Sequence, residues 1–223
     1  MLPKAVIFDL DGTLLDSTWV WDYIDHTFQE MLRFSVRPDY YETIAPMSPT
    51  QSALYTISEY RLDITPDQLK ALWAELADEY YRCRVDSKPG VESFLEILHS
   101  NGVKIAIATS CLPALCRNAL KSNRIDSYFQ MFCYSDELGE GKESGNIYRN
   151  AATKLQTDPK DCAVFEDISA PLCAVKGMGM QYFAIADKKQ PTAIRRLLER
   201  EADGFFEDYR EILQQRSFGC FTF

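Results

Sequence analysis

Histidine is scarce and paired cysteines are missing. The 223 residues hold two histidines, His26 and His99, and seven cysteines, with no C-x-x-C pair. Zinc ribbons and fingers are thereby excluded. An odd cysteine count in a chain of this size also argues against a disulfide framework and for reduced thiols in the cytoplasm. No apolar run is long enough to cross a bilayer. The opening MLPKAVIF meets Asp9 and Asp11 at once, so no signal peptide is expected there. Basic residues number 24 against 33 acidic ones, for a formal net charge of −9. That balance speaks against nucleic-acid or anionic-membrane partners, while a small anionic substrate stays open because local charge can oppose the global field. It also suits a monomer or weak homodimer. No G-x-G-x-x-G follows the first apolar run, so a dehydrogenase-type nucleotide fold lacks support.

Hydrophobic residues make up 46% of the chain, enough for a sizeable core without disulfides or a structural metal. Short apolar runs at Ala5–Phe8, Val103–Ala108, Met131–Tyr134, Cys162–Phe165 and Tyr182–Ala186 read as strands buried on both faces. Helical patterns lie between the later ones, near Leu112–Lys121, Asn146–Leu155, Pro171–Lys176 and Pro191–Arg200. Another precedes the second strand, where Val91, Phe94, Leu95 and Leu98 share a face and Asn101–Gly102 ends it. A short strand at Phe205–Phe206 and a helix from Glu207 to about Gln214 close the chain. Such alternation predicts an α/β fold, a doubly wound, Rossmann-like parallel sheet with helices on both sides.

Residues 15–88 break the rhythm with three helical patterns, Trp19–Phe34, Gln51–Tyr60 and Pro66–Arg84. Two turn-rich joints, Arg37–Asp39 and Ala45–Pro49, separate the first two. The expected division is a core of residues 1–14 and 89–223 and a small helical domain of residues 15–88. Its aromatics read mainly as bundle core.

Chemistry concentrates in VIFDLDGTLLDS, residues 6–17. Residues i and i+2 of an extended chain point the same way, so Asp9 and Asp11 leave the sheet at one edge, beyond the carboxyl end of the strand. Gly12 permits a tight turn, Thr13 can hydrogen-bond locally, and Asp16 or Ser17 can cap the next helix. An acidic turn is the plain alternative for D-x-D alone; D-x-D-G-T after a buried strand is more specific.

This string resembles the first motif of the haloacid-dehalogenase superfamily, in the subfamily with a helical cap that includes phosphoglycolate phosphatase and β-phosphoglucomutase types. Three later motifs follow in order. KIAIATS supplies Thr109 with Ser110 next, GKESGNIYRNAA supplies Lys142, and CAVFED supplies Glu166 and Asp167. The chain departs from the usual pattern with Glu143 and Gly145 after the lysine, and with Ile168 and Pro171 after the acidic pair. The resemblance implies a Mg²⁺-dependent phosphatase acting on a small phosphorylated metabolite. Asp9 would attack phosphorus to form an aspartyl-phosphate, and Asp11 would serve as acid and then base. Lys142 and Thr109 would bind the phosphoryl oxygens. The metal would be held by Asp9, Asp167 and the backbone carbonyl of Asp11, with Glu166 behind them or linked through water. Thr13, Ser110, Cys111 and Trp21 are the expected substrate-facing residues, with Tyr23, Met47, Ser48 and Gln51 as further cap candidates. Leu14–Thr18 and Arg84–Lys88 would be the hinges.

Electrostatics supports a cation independently. Two unit charges about 4 Å apart repel by roughly 4 kcal/mol at an effective dielectric of about 20. A cluster of four carboxylates therefore needs a cation or bound protons, and all-oxygen donors suit Mg²⁺. Among competing readings, a β-phosphoglucomutase-like transferase carries a histidine in the first cap helix, where this chain has Trp21, with His26 about a turn further on. A haloacid dehalogenase has no use for a metal or for Asp11. An idle binding protein on the same scaffold is the reading from another class.

Overall fold

The computed structural model describes residues 2–215, together with the backbone of 217–218 and 221–222. Strand β1 (Ala5–Phe8) is followed by four helices: α1 (Thr18–Leu32), α2 (Tyr40–Ile44), α3 (Pro49–Tyr60) and α4 (Pro66–Cys83). The chain then alternates through α5 (Val91–Ser100), β2 (Lys104–Thr109), α6 (Pro113–Ser122), β3 (Met131–Tyr134), α7 (Ser135–Leu138), α8 (Asn146–Lys154) and β4 (Cys162–Glu166). It continues with α9 (Leu172–Gly177), β5 (Gln181–Ile185), α10 (Thr192–Glu201), β6 (Gly204–Phe206) and α11 (Tyr209–Gln215). A small antiparallel pair, β7 (Ser217–Phe218) and β8 (Phe221–Thr222), ends it.

The six main strands form one parallel sheet in the order β3-β2-β1-β4-β5-β6. Period-two alternation splits their side chains between two cores. Val6, Phe8, Ile107, Phe165 and Phe183 face one side, where α5, α6 and α11 pack. Ala5, Ile7, Ala106, Ala108 and Ala184 face the other, against α8, α9 and α10. The first face is aromatic. Phe8 stacks on Phe165 at 5.2 Å between ring centroids, and Phe165 on Phe183 at 5.2 Å, each pair adding about 0.5–1.5 kcal/mol beyond its burial. The core of the helical insert, through Val20, Ile24, Phe28, Trp73, Ala77 and Tyr81, is continuous with this aromatic side.

Local signals explain the insert. Ser48 and Thr65 open α3 and α4 with capping boxes closed by Gln51 and Gln68, and proline stands in the first turn of both helices. Between the two turn-rich joints the structure adds α2, a single short helix that buries Tyr40 beneath Tyr55 and Tyr60. Five residues carry too little periodicity to be read from sequence.

The two connectors to the insert run side by side. Leu15 bridges Ser87 in antiparallel register, the Asp16 N–H donates to the Asp86 carbonyl at 3.0 Å, and the Lys88 N–H donates to the Leu14 carbonyl at 2.8 Å. Buried Lys88 also donates to the carbonyl of Ala186 at 2.5 Å, which pins this ribbon to the end of β5.

Candidate active site

Phe8 pairs with Ile107 on β2 and with Phe165 on β4. This register brings Asp9, Thr109, Glu166 and Asp167 out together at the carboxyl edge of the sheet, where parallel strands leave a crevice. Lys142 arrives from the loop between α7 and α8. Its backbone N–H donates to the Pro46 carbonyl of the insert at 2.7 Å, a close approach that Gly141 makes possible: a Cβ there would lie 2.2 Å from that oxygen.

Asp9, Glu166 and Asp167 are all buried and can place an oxygen each within 4.8 Å of one another. The Lys142 ammonium donates to both Asp9 Oδ1 and Glu166 Oε1. Glu166 also accepts from the Tyr148 hydroxyl at 2.6 Å and from the backbone N–H groups of Asp167 at 2.8 Å and Ile168 at 3.2 Å. Four donors fill the acceptor capacity of its carboxylate. Burial pushes the Glu166 carboxyl up, but the Lys142 charge and these donors outweigh it, and the group ends below its ordinary range. Asp9 has the ammonium alone. Burial lifts it to about 7 against the pull of Lys142, with the Glu166 charge adding to the rise.

Buried Asp167 completes the cluster. It receives a hydrogen bond from the Thr13 hydroxyl at 3.3 Å. Burial first, then the charges of Glu166, Asp9 and Asp187, hold its carboxyl far above the ordinary range. Gly12 is what allows the approach. Its φ is +79°, and a Cβ would stand 2.3 Å from Asp167 Oδ2. A buried carboxylate beside two others, with one long hydroxyl contact, fits a cation: Asp9 and Asp167 have acceptor capacity to spare, whereas Glu166 has none.

Asp11 faces the helical insert. Its Oδ1 accepts from the Ser17 hydroxyl at 2.6 Å and from the Tyr81 hydroxyl at 2.5 Å. Burial raises this carboxyl too, against those hydrogen bonds. Ser17 occupies the N-cap position of α1, yet its side chain makes no capping bond, because its hydroxyl is engaged by Asp11. Asp16 does not cap the helix either; it pairs with Lys188.

The other anticipated residues fall as follows. Buried Thr109 accepts the Cys111 N–H at 2.9 Å, and Ser110 accepts the Ser135 hydroxyl at 3.0 Å. The Cys111 thiol is buried beside Asp11 and pushed well above its ordinary range, first by burial and then by that charge. Trp21 donates its indole N–H to the Tyr81 hydroxyl at 3.1 Å. Ser48 and Gln51 cap α3 with each other's side chains. Tyr23 is half exposed against Tyr80. His26 is exposed and pairs with Glu30 along α1.

Residues 6–185 match the family model of haloacid dehalogenase-like hydrolases. The chain belongs to that family. Among relatives, the bifunctional riboflavin kinase/FMN phosphatase of Arabidopsis thaliana is 26% identical over 194 residues, which are 86% of this chain and 50% of that protein. This chain thus spans about half of its length. The β-phosphoglucomutase of Bacillus subtilis is 29% identical over 193 residues, 79% of this chain and 80% of that one. The crystal structure of CbbY from Rhodobacter sphaeroides in complex with phosphate superposes with a TM-score of 0.79 at 18% identity, over 95% of this chain and 96% of that one. The last is a likeness of fold: the α/β sheet with a helical insert after its first strand.

Two side chains of this haloacid dehalogenase-like site escape a motif search, Tyr81 and Tyr148. Both are fully buried tyrosines on amphipathic helices, where aromatic residues ordinarily fill core. Position offered the only signal: Tyr81 lies just ahead of the second connector, and Tyr148 stands six residues after Lys142, in the first turn of α8.

Proposed function

We propose that this protein is a phosphatase of small phosphorylated metabolites, working through an aspartyl-phosphate on Asp9. The observation that carries the reading is the buried convergence of Asp9, Glu166 and Asp167 around Lys142 at the sheet edge, with Asp11 held apart by hydroxyl groups. Asp9 attacks phosphorus in line, and the leaving alcohol departs with a proton from Asp11, which then takes one from the water that cleaves the intermediate. Lys142 lies against Asp9 and so meets the phosphoryl oxygens as they arrive. Thr109 shapes the loop that carries Ser110 and Cys111 past them. Mg²⁺, which Asp9, Asp167 and the Asp11 carbonyl would hold, supplies positive charge that offsets repulsion between the nucleophile and the phosphoryl group. Glu166 serves by fixing Lys142.

In this reading residues 15–88 act as a cap over a core of residues 1–14 and 89–223. The cap meets the core through Pro46 at Lys142, and through Thr50, whose N–H donates to Asp136 at 2.8 Å. Six described cysteines are unpaired, four of them buried, which suits the reducing cytoplasm.

The mutase reading draws on the Bacillus relative. Against it, the first cap helix offers Trp21 at the position in question, bonded to Tyr81, while His26 is exposed. Release of phosphate from p-nitrophenyl phosphate, with and without Mg²⁺, tests the proposal. The wild-type protein should turn over only with the metal, and Asp9→Asn should fold normally and be inactive. An Asp9→Asn protein that keeps most of its activity removes the nucleophile. Isomerisation of a sugar phosphate without net phosphate release would favour the transferase.

A further inference from the structure

Tyr81 is fully buried near the end of α4, 70 positions from the aspartate it touches. The direction of its hydrogen bonds is decided by its neighbour. An indole N–H can only donate, so Trp21 donates a hydrogen bond to the Tyr81 oxygen, and the Tyr81 hydroxyl in turn donates to Asp11 Oδ1. The Ser17 hydroxyl donates to the same oxygen. Two donors fill both lone pairs of Oδ1, which leaves Oδ2 as the atom that can carry a proton. The edge-to-face packing of Trp21 on Tyr81, and the Ser122 hydroxyl that reaches the Tyr81 carbonyl at 3.4 Å from α6, hold the tyrosine in place.

We propose that Tyr81, backed by Trp21, is a positioning residue for Asp11: it keeps Oδ1 as an acceptor and so presents the transferable proton on Oδ2. The proposal rests on the reading of Asp11 as the acid. It also explains why an indole stands at this place in the first cap helix. Its N–H orders a hydroxyl instead of meeting substrate.

Leaving groups provide the test, because an alkoxide needs a proton from the enzyme far more than p-nitrophenolate does. The measurement is kcat/KM, which reports steps up to phosphoryl transfer, for glycerol 2-phosphate and p-nitrophenyl phosphate. Tyr81→Phe should lower the value for the alkyl ester about tenfold or more and that for the aryl ester by less than about twofold. Trp21→Phe should show the same selectivity with a smaller loss. An equal fall on both esters, or no fall on the alkyl ester, overturns the proposal. If Tyr81→Phe does not fold, Trp21→Phe decides by the same criterion. Asp11→Asn separates the two levels. If it keeps alkyl-ester cleavage, the acid assignment fails and takes the proposal with it. If it loses cleavage while Tyr81→Phe keeps it, the positioning role alone falls.

Discussion

Asp9 and Asp11 stand two residues apart and live in opposite surroundings. Asp9 faces an ammonium held by a second, fully satisfied carboxylate, all of it drawn from the sheet and its loops. Asp11 faces two hydroxyls and, behind one of them, an indole, and all three groups come from residues 15–88. Under the proposed mechanism the difference matches the work asked of each. A nucleophile must be ionised when it meets an anionic phosphoryl group, so fixed positive charge belongs beside it. An acid must keep a proton until the leaving oxygen needs it, so neutral donors suit it and a cation would not.

The largest effect should come from Lys142→Met, which strips Asp9 of its partner and leaves Glu166 with three of its four donors and no cation beside it. The expected losses are on the order of 10²–10³-fold in turnover and about 3–5 kcal/mol in stability, read from steady-state kinetics and urea midpoints. Activity near that of the wild type would show that the two halves do not differ in the way described. Tyr148→Phe sharpens the contrast with Tyr81→Phe, since each deletes one buried tyrosine hydroxyl from a carboxylate. Removing the bond to Glu166 should cost about 1.5–3 kcal/mol and lower kcat/KM alike for aryl and alkyl esters. A loss confined to alkyl esters would break the division. The smallest catalytic effect is expected at Asp25, a buried carboxylate of the insert outside the site. Burial, with a lesser push from Asp22, lifts it to about 7 against the Tyr41 hydroxyl and Lys189. The folded chain then keeps a proton that the unfolded chain releases, so this group's contribution is full below about 4, falls as pH rises to about 7, and is lost above it. The span is up to ~4 kcal/mol. Asp25→Asn should flatten that decline in urea midpoint against pH and leave turnover unchanged.

The sheet was legible because buried parallel strands are apolar runs with little else between them and their loops, as at Ala5–Phe8 and Cys162–Glu166. Asp9, Glu166 and Asp167 were legible as residue types at strand ends and Lys142 as a lysine ahead of a helix, though not the sharing of Lys142 between two carboxylates, which depends on the loop path past Pro46. What stayed hidden was held at long range. Tyr81 reaches Asp11 across 70 residues through the packing of α4 on the sheet domain, and its helical spacing is that of any core aromatic. Ser17 looked like a helix cap because a cap and an aspartate's donor require the same hydroxyl in the same place.

If residues 15–88 work as the proposed cap, the paired connectors are its axle. Because Leu15 and Ser87 are laced together, a swing of the insert about them carries nearby groups through short arcs and distant ones through long arcs. Ser17 and Tyr81 sit beside the axle; Pro46 and Thr50 ride at the rim. Under the proposed function, opening would break the rim contacts to Lys142 and Asp136 first, and an incoming phosphate ester would meet a proton donor that is already aimed.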